Sequence, residues 1–107
     1  MRRKESDFAT PAAQATAAHL GALVRQARLA RTWTQQALAE RARISLATLK
    51  RLESGAVEVS MGGWLAVFEC LGLLHLLGEL RDPASAAVLD ATRTQRARAR
   101  ERDDLDF

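Results

Sequence analysis

The sequence predicts an all-helical protein built around one small domain, and three observations carry this prediction. Ala, Leu and Arg dominate a chain with only three Phe, two Trp and no Tyr, and this composition favours helices. Three hydroxyl residues occupy positions typical of helix caps, each followed by apolar residues at helical spacing. No segment shows the alternating pattern of a strand. A length of 107 residues suits one domain with appendages.

The N-terminal residues 1–14 are predicted to form a flexible arm, because they show no lasting apolar period. From about Ala15 the spacing changes. Leu20 and Val24 belong to an apolar stripe at helical spacing, which predicts a first helix that ends near Arg31.

Three further helix starts share one local signature, in which an apolar residue precedes a hydroxyl cap and pairs with an apolar residue five positions later. The pairs are Trp33-Thr34 with Leu38, Ile44-Ser45 with Leu49, and Val59-Ser60 with Trp64. They predict helices over about Gln35–Arg41, Leu46–Ser54 and Met61–Leu71. Gly55 and Gly72 stand where the last two of these helices should end in the left-handed conformation.

The C-terminal third is predicted to contain a fifth helix over Leu74–Leu80, which stops before Pro83, and a sixth from Ala84 to roughly Arg98. The acidic residues 103–107 are expected to be disordered in isolation. The domain itself is predicted to span residues 15–81, followed by a helical and then disordered extension over residues 82–107.

Two short capped helices separated by the tight segment 42–44 have the geometry of a helix-turn-helix. An ordinary helical hairpin in a bundle is the alternative interpretation. An ordinary bundle does not require the combination of Arg28, Gln35 and Glu53, which favours the first interpretation. Residues 1–58 carry a net charge of +5 and residues 59–107 carry −2. A positive field on the half that holds the two helices suits a nucleic-acid partner.

Three segments of this region resemble the Cro/CI (XRE) repressors: Thr34-Gln35-Gln36-Ala37-Leu38-Ala39, Ile44-Ser45, and Arg51-Leu52-Glu53-Ser54-Gly55. The resemblance covers about residues 19–73. It implies a five-helix, lambda repressor-like domain that binds double-stranded operator DNA as a homodimer and places the second helix of the motif in the major groove.

The resemblance also implies roles for individual residues. The expected DNA contacts are Gln35, Arg43, Ser45, Leu46, Ala47, Thr48, Lys50 and Arg51. We expect Gln35 to contact a phosphate, Leu46 and Ala47 to contact thymine methyl groups, and Arg51 to bind guanine. Arg28 and Glu53 match a pair that ties the first helix of the family's domain to the third.

Arg43 stands where the family usually has glycine in the turn. A positive φ at a residue with a side chain costs about 1–2 kcal/mol, so we expect strain or a different turn here.

Surplus leucines outside the expected core predict a dimer interface. They are Leu73, Leu74, Leu76, Leu77 and Leu80. The size of the chain, its leucine-rich fifth helix and its Arg-rich tail resemble HipB-type antitoxins, which repress their own operon and hold a HipA-like kinase toxin. That resemblance implies that Leu105 and Phe107 bind the toxin. A stand-alone or phage-type repressor, and a protein-interaction adaptor without DNA binding, are the alternatives.

Other functional classes find no support in the residues. No nucleophile with a His partner and no phosphate loop is present, so we expect no enzyme and no cofactor. His19 and His75 lack partners at metal-ligand spacing, so no metal is expected. The single cysteine and the absence of a signal-peptide or membrane-spanning apolar run predict a cytoplasmic protein without a membrane partner.

Overall fold

Six helices form the regular structure of residues 8–105, the part of the chain that the computed structural model describes. They are α1 (Pro11–Ala30), α2 (Gln35–Ala42), α3 (Leu46–Glu53), α4 (Met61–Cys70), α5 (Leu74–Gly78) and α6 (Pro83–Leu105). These residues include no strand, which confirms the predicted all-helical class. The chain divides into two compact units, with the boundary between His75 and Leu76.

Hydroxyl caps start the three short helices where the sequence predicts them. Thr34, Ser45 and Ser60 have extended backbones, and each side chain accepts a hydrogen bond from the backbone N–H three residues later, at 3.0, 3.0 and 3.2 Å. Each bond satisfies an N–H that the helix itself cannot pair.

Left-handed residues end the first four helices. Gly55 and Gly72 have φ of 82° and 73°, which confirms their predicted role. Thr32, like the two glycines, is the second residue after its helix, whereas Arg43 is the first residue after α2, and their φ are 57° and 56°. Both carry a Cβ that this conformation disfavours, and the sequence indicated this strain at Arg43 alone.

The first helix begins earlier than its apolar spacing predicts. Residues 11–14, assigned from sequence to the flexible arm, are the first turn of α1. Thr10 caps them by accepting a hydrogen bond from the N–H of Ala13 at 3.1 Å, and Pro11 fits the first helical position because no N–H is needed there. The rest of the predicted arm, residues 1–7, lies outside the described residues.

The core of the first unit forms where α2 packs against α3 and α4, while α1 packs against α3. Its buried apolar side chains are Val24, Leu38, Ala39, Ala42, Leu49, Leu52, Val59, Val67, Phe68 and Leu71. Helices α1 and α3 approach closely at Gly21, where an added Cβ would lie 2.5 Å from the carbonyl oxygen of Leu52. The C-terminal end of α3 is therefore packed directly against the backbone of α1.

Helix α6 is longer at both ends than predicted. Asp82 accepts hydrogen bonds from the N–H of Ala84, at 3.2 Å, and from the hydroxyl of Ser85, and these bonds hold the pKa of Asp82 below its ordinary value. Pro83 occupies the first turn, and the helix then continues to Leu105, so the expected disorder of residues 103–105 is wrong. High helix propensity of Ala and Arg, with no Gly or Pro after Pro83, accounts for the extension.

Candidate nucleic-acid interface

Helices α2 and α3 are joined by only three residues, 43–45, in a tight turn. Arg43 reverses the chain in the left-handed conformation, and the N–H of Ile44 returns a hydrogen bond of 3.0 Å to the carbonyl of Ala39. Ser45 then opens α3 as its cap. Two helices of eight residues with this connection form a helix-turn-helix.

One face of α3 anchors the helix and the other is open. Leu49, Leu52 and Glu53 are buried. Ala47, Lys50 and Arg51 are exposed, and their spacing of three and four residues places them together on one side. We call these three residues the reading face. The sequence predicted all three as DNA contacts, and the helix leaves each of them accessible.

Polar contacts order the first turn of α3. The Ser45 hydroxyl donates to the Thr48 hydroxyl at 2.8 Å and accepts from the Thr48 N–H at 3.0 Å. The same Thr48 hydroxyl accepts a long hydrogen bond of 3.5 Å from the Arg51 guanidinium. Arg51 is thus oriented along the helix surface, while most of its N–H donors face solvent. Leu46, also predicted as a contact, is half-buried.

Gln35 does not extend freely toward solvent as its predicted phosphate contact suggests. This side chain is half-buried, and its amide nitrogen donates to Glu53 Oε1 at 3.1 Å. One N–H of the amide is therefore directed inward. Sequence reasoning missed this contact because it joins residues 18 positions apart.

Arg28 and Glu53 form the pair that the family resemblance implies. Arg28 donates to both carboxylate oxygens of Glu53, at 2.7 and 3.0 Å, and to the carbonyl of Trp33 at 2.9 Å. Both residues are buried, and the hydrogen bonds that Arg28 donates to Glu53 raise the pKa of Arg28 although desolvation opposes the shift. With Gln35, this network joins α1, α2 and α3 at one carboxylate.

Arg43, the predicted phosphate contact in the turn, is exposed. Its side chain makes no hydrogen bond or ion pair with any residue in the described range 8–105. The guanidinium is therefore available to an external anion.

Two arginine contacts escaped sequence reasoning. Arg31 donates to the carbonyls of Ala27 and Leu71, both at 2.7 Å, and so ties the end of α1 to the end of α4. The Arg41 guanidinium lies 4.3 Å from the centre of the Trp33 ring. An arginine eight residues after an indole gives no local signal, because the pairing depends on how the turn after α1 folds back.

The predicted dimer residues lie around α5. Leu73, Leu74 and Leu77 are half-buried, whereas Leu76 and Leu80 are exposed. Leu105 is the last residue of α6, and Phe107 lies outside the described residues. Both the dimer interface and the partner-binding tail stay predictions.

Residues 8–105 hold no group of three His, Cys, Asp or Glu side chains suited to a metal ion. Within the same range no helix has the length and apolar character needed to span a membrane. The half-buried thiol of Cys70 has a raised pKa because burial disfavours the thiolate and Glu69 adds a negative charge nearby.

Comparison with known proteins supports the motif. A family model described as a helix-turn-helix domain matches residues 19–84, more than half of the chain. The searches of curated proteins and of solved structures found no match to the chain. The matched span contains α2, the turn and α3 in full. The chain belongs to the helix-turn-helix domain family.

Proposed function

We propose that the protein is a sequence-specific DNA-binding transcription regulator, acting as a repressor, whose helix α3 enters the major groove. The reading face carries this proposal, because Ala47, Lys50 and Arg51 are exposed while the opposite face of α3 is buried. Helix-turn-helix domains dock with residues near the start of the second helix on base edges. Membership in that family supports DNA as the partner.

Each residue of α3 has a role set by its chemistry. Arg51 presents a planar fork of donors that fits the two acceptors of a guanine edge. Ala47 has only a methyl group, which suits contact with a thymine methyl. Lys50 carries a charge on a flexible stem, so it can contact a flanking phosphate or a base.

Phosphate contacts would come from the start of α2 and from the turn. The first N–H groups of α2 lack helical partners, and the positive end of the helix favours an anion. Gln35 has a second amide N–H beyond the one bound to Glu53, which supports a contact with the same phosphate. Arg43 is free to bind a neighbouring phosphate.

A two-fold dimer is the proposed binding unit. One recognition helix reads only a few base pairs, and a dimer places two such helices about 34 Å apart on a palindromic site. Leu76 in α5 and Leu80 after it are exposed, and they supply apolar surface for the second copy.

The finer proposal is a HipB-type antitoxin that represses its own operon and neutralises a HipA-like kinase. Two observations support this proposal: the sequence resemblance, and exposed leucines such as Leu76 and Leu80 that do not belong to the core of the first unit. A kinase encoded next to the gene should co-purify with the protein. Deletion of residues 99–107 should abolish that capture if Leu105 and Phe107 bind the kinase, and retained capture would contradict the role of the tail.

The test of DNA recognition begins with duplexes selected by the protein from a random 30-base-pair pool. Arg51→Ala should lower the preference for the selected duplex over random DNA by about 1–3 kcal/mol. Arg43→Ala removes an expected phosphate contact, and the Arg43 side chain makes no hydrogen bond or ion pair with another described residue, so this variant should weaken binding to both duplexes by similar factors. Arg81→Ala removes one exposed positive charge outside the motif and is the matched control. Equal losses on selected and random DNA from Arg51→Ala would contradict its role in base recognition.

A further inference from the structure

The second half of α6 concentrates positive charge that the helix-turn-helix does not account for. Residues 93–102 contain five arginines and one acidic residue, and all five arginines are exposed. Asp90 precedes this segment, while Asp103 and Asp104 follow it. The acidic neighbours limit the basic surface to about three helical turns.

Helical geometry sorts the five arginines into two groups. At about 100° per residue, Arg93, Arg96 and Arg100 fall within about 60° of one another around the helix axis. We call these three residues the arginine stripe. Arg98 and Arg102 lie on the opposite side of α6.

The guanidinium groups of the arginine stripe are not paired with the acidic residues near them on α6. Among the described residues, none of its guanidinium groups forms an ion pair or a hydrogen bond, although Asp90, Asp103 and Asp104 lie within one turn. Like charges three or four residues apart destabilise a helix slightly. An external polyanion would remove this repulsion and occupy the free donors.

The surroundings of the arginine stripe favour nucleic acid over other anionic partners. Residues 93–102 contain no aromatic residue and no Leu, Ile, Val or Met. The stripe therefore lacks the aromatic anchors that accompany arginine at the centre of many protein interfaces, and it lacks the apolar face that membrane-surface helices need. A phosphate backbone needs only charge and planar donor forks, which arginine supplies better than lysine.

We propose that the arginine stripe is a second, sequence-independent DNA contact that binds backbone phosphates. The inference rests on the proposed function, since it requires that the protein bind duplex DNA. Arg93 and Arg100 lie about 10 Å apart along the helix axis, a length over which B-DNA presents about six phosphate charges. The stripe therefore meets enough phosphates for each of its three arginines.

Two double variants form a matched test. Arg96→Gln with Arg100→Gln removes two charges from the arginine stripe, and Arg98→Gln with Arg102→Gln removes two charges from the opposite side at the same spacing. Both have the same composition and net charge, and Gln is nearly as good a helix former as Arg. Circular dichroism checks that α6 is retained in each.

Affinity for a random-sequence 30-base-pair duplex is then measured from 50 to 300 mM salt. Each phosphate contact adds about 0.9 to the slope of log affinity against log salt. In the stripe variant the slope should be smaller in magnitude by about 1.8 for each protomer, because two phosphate contacts are lost. The opposite-side variant should keep the wild-type slope. Arg96→Lys with Arg100→Lys preserves the charges and should keep most of the slope.

Equal slope losses in the two double variants, or an unchanged slope in the stripe variant, would overturn the inference while leaving the helix-turn-helix proposal intact. A stripe variant that weakens binding only to the selected duplex would also overturn it, because phosphates carry no sequence. Failure of the wild-type protein to bind any duplex at 50 mM salt would overturn the proposed function itself.

Discussion

Arg43 makes opposite contributions to stability and to the proposed DNA binding. Its φ of 56° puts a residue with a Cβ in the left-handed conformation, and its exposed side chain is free to contact a phosphate. We predict that Arg43→Gly stabilises the first unit and weakens DNA binding. Thr32→Gly is the control, because Thr32 also has a left-handed backbone after a helix, with φ of 57°, and lies outside the proposed interface.

The size of the stabilisation follows from two opposing terms. Relief of the left-handed strain contributes about 1–2 kcal/mol. Glycine loses about 0.4–1 kcal/mol more backbone entropy on folding than a residue with a side chain. No hydrogen bond of the Arg43 side chain is lost among the described residues. The midpoints of these two ranges give a net gain in the free energy of unfolding of about 0.8 kcal/mol, or an increase in Tm of about 3–6 °C.

Tryptophan fluorescence is the assay, because Trp33 and Trp64 both lie in the first unit. Both glycine variants should melt above the wild type, although Thr32→Gly also gives up an exposed hydrogen bond from its hydroxyl to the Arg31 carbonyl. Affinity for a random duplex should fall for Arg43→Gly alone. Lower melting temperatures for both variants would refute the strain argument, and undiminished affinity of Arg43→Gly would refute its phosphate contact.

Three further predictions concern stability. Glu53→Ala should cost about 3–5 kcal/mol in urea unfolding, because it leaves a buried guanidinium without its counter-charge. Gly62→Ala should raise the free energy of unfolding by up to about 1 kcal/mol in the same assay, because its Cβ would meet nothing nearer than a hydroxyl at 4.0 Å. Gly21→Ala should lower the free energy of unfolding by about 1–3 kcal/mol, because its Cβ would clash with the backbone of α3. The pKa of the Asp82 carboxyl, measured by NMR titration, should lie below its ordinary value of 3.8. The stability that Asp82 adds at the start of α6 is therefore lost as the pH falls through this lowered pKa. Ser85→Ala removes the main hydrogen bond to the carboxylate and should raise the pKa of Asp82.

The starts of α2, α3 and α4 could be read from the sequence because their determinants are local. A hydroxyl cap and its apolar pair lie within six residues, and the capping bond forms wherever the helix does. Apolar spacing alone places the start of α1 at about Ala15, four residues later than its start at Pro11 in the structure. Thr10 and Pro11 give a start signal of their own, which depends on a cap and a fixed φ and needs no apolar stripe.

The contacts that shape the candidate site were harder to foresee, because they join distant residues. Gln35 and Glu53 meet only after α2 and α3 have packed together, and nothing near Gln35 in the sequence signals its partner. The sequence does not predict the left-handed conformation of Thr32, because β-branched residues rarely adopt a positive φ. The left-handed turn at Thr32 is accompanied by hydrogen bonds from the N–H groups of Thr32 and Trp33 to the carbonyls of Leu29 and Arg28 at the end of α1.

The buried carboxylate of Glu53 explains why the reading face can be presented by so short a helix. An eight-residue helix is marginal on its own, so its orientation must come from its neighbours. Glu53 holds the end of α3 through Arg28 of α1 and Gln35 of α2, while Ser45 fixes its start. A buried ion pair adds little net stability compared with apolar packing, but it accepts only one geometry. We infer that this pair contributes the orientation of α3, which the proposed recognition of base edges requires to be held within about 0.5 Å and 10–20°.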